Sequence, residues 1–309
     1  MKKIAILFPG QGSQFIGMGE EFYNEISSFR IKFEKVADKL ALALDFICFE
    51  PNELINETKY AQVAITTISA LIYDQVYEIL KDNKLYFAGH SLGEFTALYA
   101  AKVLDLETMT ELVRYRAKIM AEQALITPGS MAAVLGGDAS KIEALCQHIS
   151  DNGQEVQVSN YNLPSQTVIS GTNAGLEAFS NRLSETDAKR MIYLKVSGAF
   201  HSKMMHEAAE KLLDRMQKTM KNTPEHPVIM NATAKEMEFA LLDELISKQL
   251  MSPVRFQETI EYLTSQGVDT FVEVGPGNVL SNMIKKLLPE ATVISVNKPE
   301  DLKLLEAFI

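Results

Sequence analysis

The chain has 309 residues, 47% of them hydrophobic and 23% charged. This excludes disordered, collagen-like and coiled-coil classes and suits two domains, or one large α/β domain with an insert. Forty Asp and Glu outweigh 30 Lys and Arg, so no bulk basic field exists to attract nucleic acid or an anionic membrane.

Met1-Lys2-Lys3 imitates a secretory n-region. The apolar run Ile4 to Phe8 ends at Pro9-Gly10, too short for a signal, and instead predicts a buried parallel strand. Gly10-Gln11-Gly12-Ser13-Gln14 predicts a tight loop, followed by a helical stretch to about Leu44. Tyr60 to Leu80, apolar on most faces, predicts a buried helix. Leu85 to Ala88 predicts a second buried strand, and Glu94–Lys102 and Glu107 to about Leu125 predict helices.

After Gly129 the rhythm changes. Strands are expected near 130–135, 155–160, 166–170 and 190–196, with helices at 140–150 and 176–183. This β-α-β-β-α-β order describes a ferredoxin-like unit. The first rhythm then returns, with helices at 206–220 and 254–266 and strands at 228–231, 270–274 and 292–296. The expected architecture is a parallel-sheet α/β-hydrolase-like core, residues 1–128 and 197–309, carrying a ferredoxin-like α+β insert at 129–196. Val156 to Leu176, the longest uncharged stretch, is too polar to span a membrane. Cys48 and Cys146 make no disulfide framework, and a soluble protein of a reducing cytoplasm is expected.

Gly89-His90-Ser91-Leu92-Gly93 matches Gly-x-Ser-x-Gly between an apolar strand and a helix, the context a nucleophile elbow requires. Ser91 is the candidate nucleophile, and the Leu92 amide is a candidate oxyanion donor at a helix start. The loop Gly10-Gln11-Gly12-Ser13-Gln14, after the first strand, is placed to supply a second backbone amide. Of five histidines, His201 lies where the chain re-enters the core, a usual place for catalytic groups, and is the candidate base, with His206 the runner-up. No histidine follows His226, so the late base of an α/β-hydrolase is missing. Arg114 and Arg116 point about 200° apart on one helix, so only one can face a site, and spacing alone does not choose between them.

Phe8-Pro9-Gly10-Gln11-Gly12-Ser13-Gln14, Gly89-His90-Ser91-Leu92-Gly93-Glu94, Arg116-Ala117-Lys118-Ile119-Met120, Gly198-Ala199-Phe200-His201-Ser202 and Glu273-Val274-Gly275-Pro276-Gly277 stand in the order found in one family. Together they resemble the malonyl-CoA:acyl carrier protein transacylases of type II fatty acid synthesis, across essentially the whole chain. The resemblance implies Ser91 as the malonylated nucleophile, His201 as base, and Gln11 and Leu92 amides as the oxyanion hole. It selects Arg116 as the grip on the malonyl carboxylate and places Asn160 beside the catalytic pair. It implies that the Gln249 main-chain carbonyl orients the histidine, and that Phe200 favours malonyl over methylmalonyl. Malonyl-CoA and acyl carrier protein are the implied partners of a monomer that needs no metal or cofactor. Lys189, Arg190, Lys195 and Lys203 are candidate contacts for the acidic carrier protein. A free-standing polyketide acyltransferase and a serine thioesterase or hydrolase are the alternatives.

Overall fold

A computed structural model describes residues 2–308; Met1 and Ile309, end points of the expected core segments, lie outside them. Nine strands follow in chain order: β1 (Lys3–Phe8), β2 (Lys84–Gly89), β3 (Ser130–Gly136), β4 (Val156–Leu163), β5 (Gln166–Gly171), β6 (Ala188–Tyr193), β7 (Val228–Ile229), β8 (Thr270–Val274) and β9 (Thr292–Val296). Five form a sheet in the order β7-β2-β1-β8-β9, every pair parallel. The other four form an antiparallel sheet, β4-β5-β3-β6, with helices Ala139–Asp151 and Asn173–Asn181 between strands. Counted within that unit the order is 2-3-1-4, the ferredoxin-like arrangement expected from the sequence.

Period-two alternation decides which core each β1 side chain enters. Ile4, Ile6 and Phe8 face one apolar cluster, which includes helix Thr58–Leu80; Ala5 and Leu7 face another, with Phe256, Ile260, Leu280 and Ile284. A parallel sheet covered on both faces needs such continuous apolar strands. Thr58–Leu80 is long and apolar enough to cross a membrane, but 72% of its most apolar window is buried inside this fold. A third cluster fills the small sheet against its helices, around Val134, Ile142, Ile149 and Phe179. Cys48 and Cys146 are buried and unpaired, and burial pushes both thiols up to about 12.

The single helical stretch expected to run to about Leu44 is two helices, Glu20–Glu25 and Ser27–Leu40, and a third, Leu44–Phe49, begins where it was expected to end. Extended Ile26 separates the first two, and Ala41 ends the second in the left-handed region at φ 48°, a conformation its sequence does not announce. Helices Leu242–Gln249 and Val279–Leu287 were also not expected. In the second, Glu273 accepts from the amides of Leu280 and Ser281, so a buried carboxylate from β8 satisfies the first turn.

Candidate active site

The carboxyl ends of β1, β2 and β7 converge on one place. β2 runs straight into Ser91, which has φ 51°. A left-handed non-glycine residue costs on the order of 1–3 kcal/mol and persists only when its surroundings impose it. Here the backbone does. A Cβ on Gly89 would lie 1.9 Å from the Gly93 carbonyl carbon, and one on Gly93 would lie 2.0 Å from the Phe8 oxygen. The turn therefore closes against itself and against the end of β1 only with glycine at both flanks. Its amide and carbonyl are also held: Ser91 N–H donates to Asn231 Oδ1 at 2.7 Å, and Ser91 O accepts from Gln249 Nε2 at 2.9 Å.

His201 is the second strained residue, at φ 56°. Its Nε2 lies 2.7 Å from Ser91 Oγ, and its Nδ1 lies 2.7 Å from the Gln249 main-chain oxygen. A carbonyl only accepts, so Nδ1 carries the proton and Nε2 presents its lone pair to the serine hydroxyl. Burial, then the nearby Arg116 charge, push the imidazole down to about 3. It is therefore neutral, and able to accept a proton, throughout the physiological range. No carboxylate occupies the place an acid holds in a hydrolase triad.

Arg116 reaches this pair from helix Leu106–Ile126, which is capped by Asp105 accepting from Thr108 N–H. It is 1% exposed although it is the largest side chain in the buried set. One nitrogen donates to Ser91 Oγ at 3.3 Å and to Gln249 Oε1 at 3.0 Å; the other terminal nitrogen donates to Gln62 Oε1 at 2.6 Å. Its Nε is buried without a partner among the described residues. Burial lowers its pKa to about 10, still well above neutrality, so it stays charged. Arg114 points away, donating to the Leu40 carbonyl and lining a separate cavity.

A cavity of about 660 Å3 opens beside Ser91 between the two sheets. Gln11 and Leu92 line it, and neither amide has a backbone acceptor among the described residues. Phe200, buried, and Met120 and Met131 form apolar wall. Asn160 and Asn162 enter from β4. Ser159 Oγ donates to Asn160 Oδ1 at 2.9 Å, and His90 Nε2 lies 2.9 Å from Asn162 Oδ1, so both amide nitrogens are left for the cavity. Lys195 stands exposed at the rim, while Lys189, Arg190 and Lys203 lie exposed outside the lining. His206, the runner-up base, is exposed at a helix start 3.4 Å from Glu210.

Three residues of the site carried no role in the sequence reading. Gln62 links Arg116 to the Gln11 side chain, and it is a lone fully buried amide in the apolar helix Thr58–Leu80, which is a readable signal. Asn231 sits just beyond β7, where ligand-side residues of a parallel sheet gather. Glu94 lies inside a quoted motif, and nothing local in the sequence marks it as buried.

An acyl transferase domain model matches residues 6–303. The chain belongs to the acyl transferase domain family. It is similar to the malonyl CoA-acyl carrier protein transacylase of Bacillus subtilis (strain 168), with 42% identity over 98% of this chain and 96% of that one. Among solved structures it resembles MCAT from Streptococcus pneumoniae, at TM-score 0.93 and 35% identity over 98% of this chain and 99% of that one. It also resembles a malonyl-transacylase in complex with a type II PKS acyl-carrier protein, at TM-score 0.93, 32% identity and 99% coverage of both chains. Acyl transferase membership fits a site built on a serine, a base and a buried arginine rather than on a hydrolytic triad.

Proposed function

We propose that Ser91 and His201 are the nucleophile and base through which the chain transfers malonyl from malonyl-CoA to the phosphopantetheine thiol of acyl carrier protein, in fatty acid synthesis. One observation carries the assignment of roles: a buried, charged arginine donates to the same Ser91 oxygen that meets His201. A hydrolase acting on neutral acyl groups gains nothing from that charge. A malonyl group brings a carboxylate that a guanidinium can hold by two parallel bonds.

In the first half-reaction His201 Nε2 takes the Ser91 proton as Oγ attacks the thioester carbonyl. The Gln11 and Leu92 amides receive the oxyanion. The tetrahedral intermediate collapses, the CoA sulfur leaves, and the imidazolium returns the proton to it. In the second half the carrier thiol gives its proton to His201 and attacks the malonyl-serine ester; Ser91 leaves and recovers the proton. The malonyl carboxylate also offsets the Arg116 charge that depresses His201, so the correct substrate makes the base stronger.

Thioester exchange of this kind draws on no metal or cofactor. Phe200 bounds the space beside the malonyl α-carbon, and Asn160 offers an amide to the acyl or pantetheine oxygens. A monomer in a reducing cytoplasm, binding neither nucleic acid nor membrane, fits the acidic composition and two unpaired thiols. The deciding experiment is intact mass after mixing with malonyl-CoA, followed by peptide mapping. A malonyl adduct on Ser91, discharged by added holo-carrier protein and absent in Ser91→Ala, is expected. An adduct retained in Ser91→Ala would overturn the assignment.

A further inference from the structure

Glu94 is completely buried, in the first turn of helix Gly93–Ala100 just after the nucleophile, and its side chain hydrogen-bonds to neither the Ser91 nor the His201 side chain. Its two carboxylate oxygens have separate partners. Oε1 accepts from the Asn231 main-chain amide at 2.6 Å, and Oε2 accepts from Gln249 Nε2. Asn231 in turn accepts from the Ser91 amide and donates through Nδ2 to the Gly89 carbonyl at 2.7 Å, so one oxygen of Glu94 braces both ends of the serine turn.

The other oxygen has a less obvious effect. A side-chain amide is electrically two-ended, and near-identical shapes result when it is turned over. Gln249 must present oxygen to Arg116, because a guanidinium only donates. It does so only if its nitrogen end has acceptors. Glu94 Oε2 and the Ser91 carbonyl are those acceptors. A neutral amide at position 94 has one oxygen for two donors, the Asn231 amide and Gln249 Nε2, so an NH2 group turned toward Gln249 would oppose its present direction and leave the Ser91 carbonyl as the one acceptor holding it. Turned over, Gln249 would point N–H at the guanidinium and leave Arg116 without one of its holds.

We infer that Glu94 is a positioning residue that fixes the direction of the Gln249 amide and, through it, presents Arg116 to the acyl carboxylate. It is a determinant of acyl selectivity that contacts no substrate. The inference rests on Arg116 being the carboxylate grip, so the test includes that variant. Burial raises the Glu94 carboxyl and its N–H donors and the Arg116 charge lower it, to about 7 in all; both oxygens face N–H donors, so the hydrogen-bond geometry is that of the ionised form.

The readout is the ratio of malonyl to acetyl transfer, as kcat/KM with the same carrier protein, in the full-length enzyme. Glu94→Gln should lower it at least tenfold. Glu94→Asp keeps an acceptor but withdraws it by one methylene, and should lower it two- to threefold. In a Gln249→Ala background, where the relay is already missing, adding Glu94→Gln should change the ratio by less than twofold. A structural role alone would depress both transfers together and leave the ratio intact. A wild-type ratio in Glu94→Gln overturns the inference, as does an undiminished effect in the Gln249→Ala background. If Glu94→Gln does not fold, a wild-type ratio in Glu94→Asp overturns it. Arg116→Ala separates the two levels: an unchanged ratio there means the grip itself is misassigned, whereas a changed ratio there with an unchanged one in the Glu94 variants means only the relay fails.

Discussion

His201 is oriented by Gln249 through a main-chain oxygen, 2.7 Å from Nδ1, and not through a side chain. A peptide carbonyl fixes the tautomer as an aspartate would, without placing a full negative charge beside the base. It also cannot be removed by side-chain substitution. Gln249→Ala should therefore keep acetyl transfer within about tenfold of wild type, whereas His201→Ala should lose roughly 10^3-fold or more. Steady-state acetyl transfer to the carrier protein checks both. Equal losses would mean that the carbonyl does not hold the ring.

Arg116 acts on acidity as well as on binding. Its positive charge is the second cause of the low pKa of His201, after burial. Removing it lets the imidazole bind a proton more readily, and a protonated imidazole is not a base. The acid limb of kcat/KM should therefore move to higher pH in Arg116→Ala. Acetyl-CoA is the substrate to use, since it has no carboxylate to lose. In wild type the limb set by His201 should lie well below the ordinary histidine value of 6.5. A limb that stays put in Arg116→Ala would show that the charge is screened from the ring.

Gly93 faces the Phe8 oxygen with no room for a methyl group, because the added Cβ would stand 2.0 Å away. The obstacle is backbone on the central strand, which cannot swing aside as a side chain can. Gly93→Ala should lose about 3 kcal/mol or more of stability, among the larger single-residue effects. Urea unfolding followed by circular dichroism measures it, and a loss below 1 kcal/mol would contradict the geometry.

Lys189 and Arg190 lie exposed on β6, with Lys195 farther along the chain at the cavity rim. Reversing Lys189 and Arg190 to glutamate should raise KM for an acidic carrier protein several-fold, more so at low salt, and leave malonyl-CoA acylation unchanged. Initial rates with each substrate varied in turn make the comparison. An unaltered carrier-protein KM would move the docking surface elsewhere.

Much of this was legible in the chain because its signals are local. Apolar runs ending in Pro-Gly or Gly-x-Ser-x-Gly mark β1 and β2 and the turns after them, and the β-α-β-β-α-β order marks the second sheet. Helical geometry restricted Arg114 and Arg116 to opposite faces, but only the family resemblance chose between them. What stayed hidden is non-local. Glu94, Asn231 and Gln62 matter through partners 137 and 155, 140, and 54 residues away, and no spacing rule encodes such pairs. The left-handed conformation of Ala41 was invisible for a related reason, since alanine does not advertise it.

The small sheet is pinned to the body at the base itself. Gln157 on β4 donates to the His201 carbonyl at 3.2 Å and accepts from the Lys203 amide at 3.0 Å, while Ser159 and Tyr161 exchange main-chain bonds with Val254. A chimera that imported this sheet from another acyltransferase would thus import part of the histidine's mounting as well. Recipient-specific tailoring of the enzyme is mechanically tied to its proton-transfer alignment, and any graft must carry the residue at 157 and its seam intact.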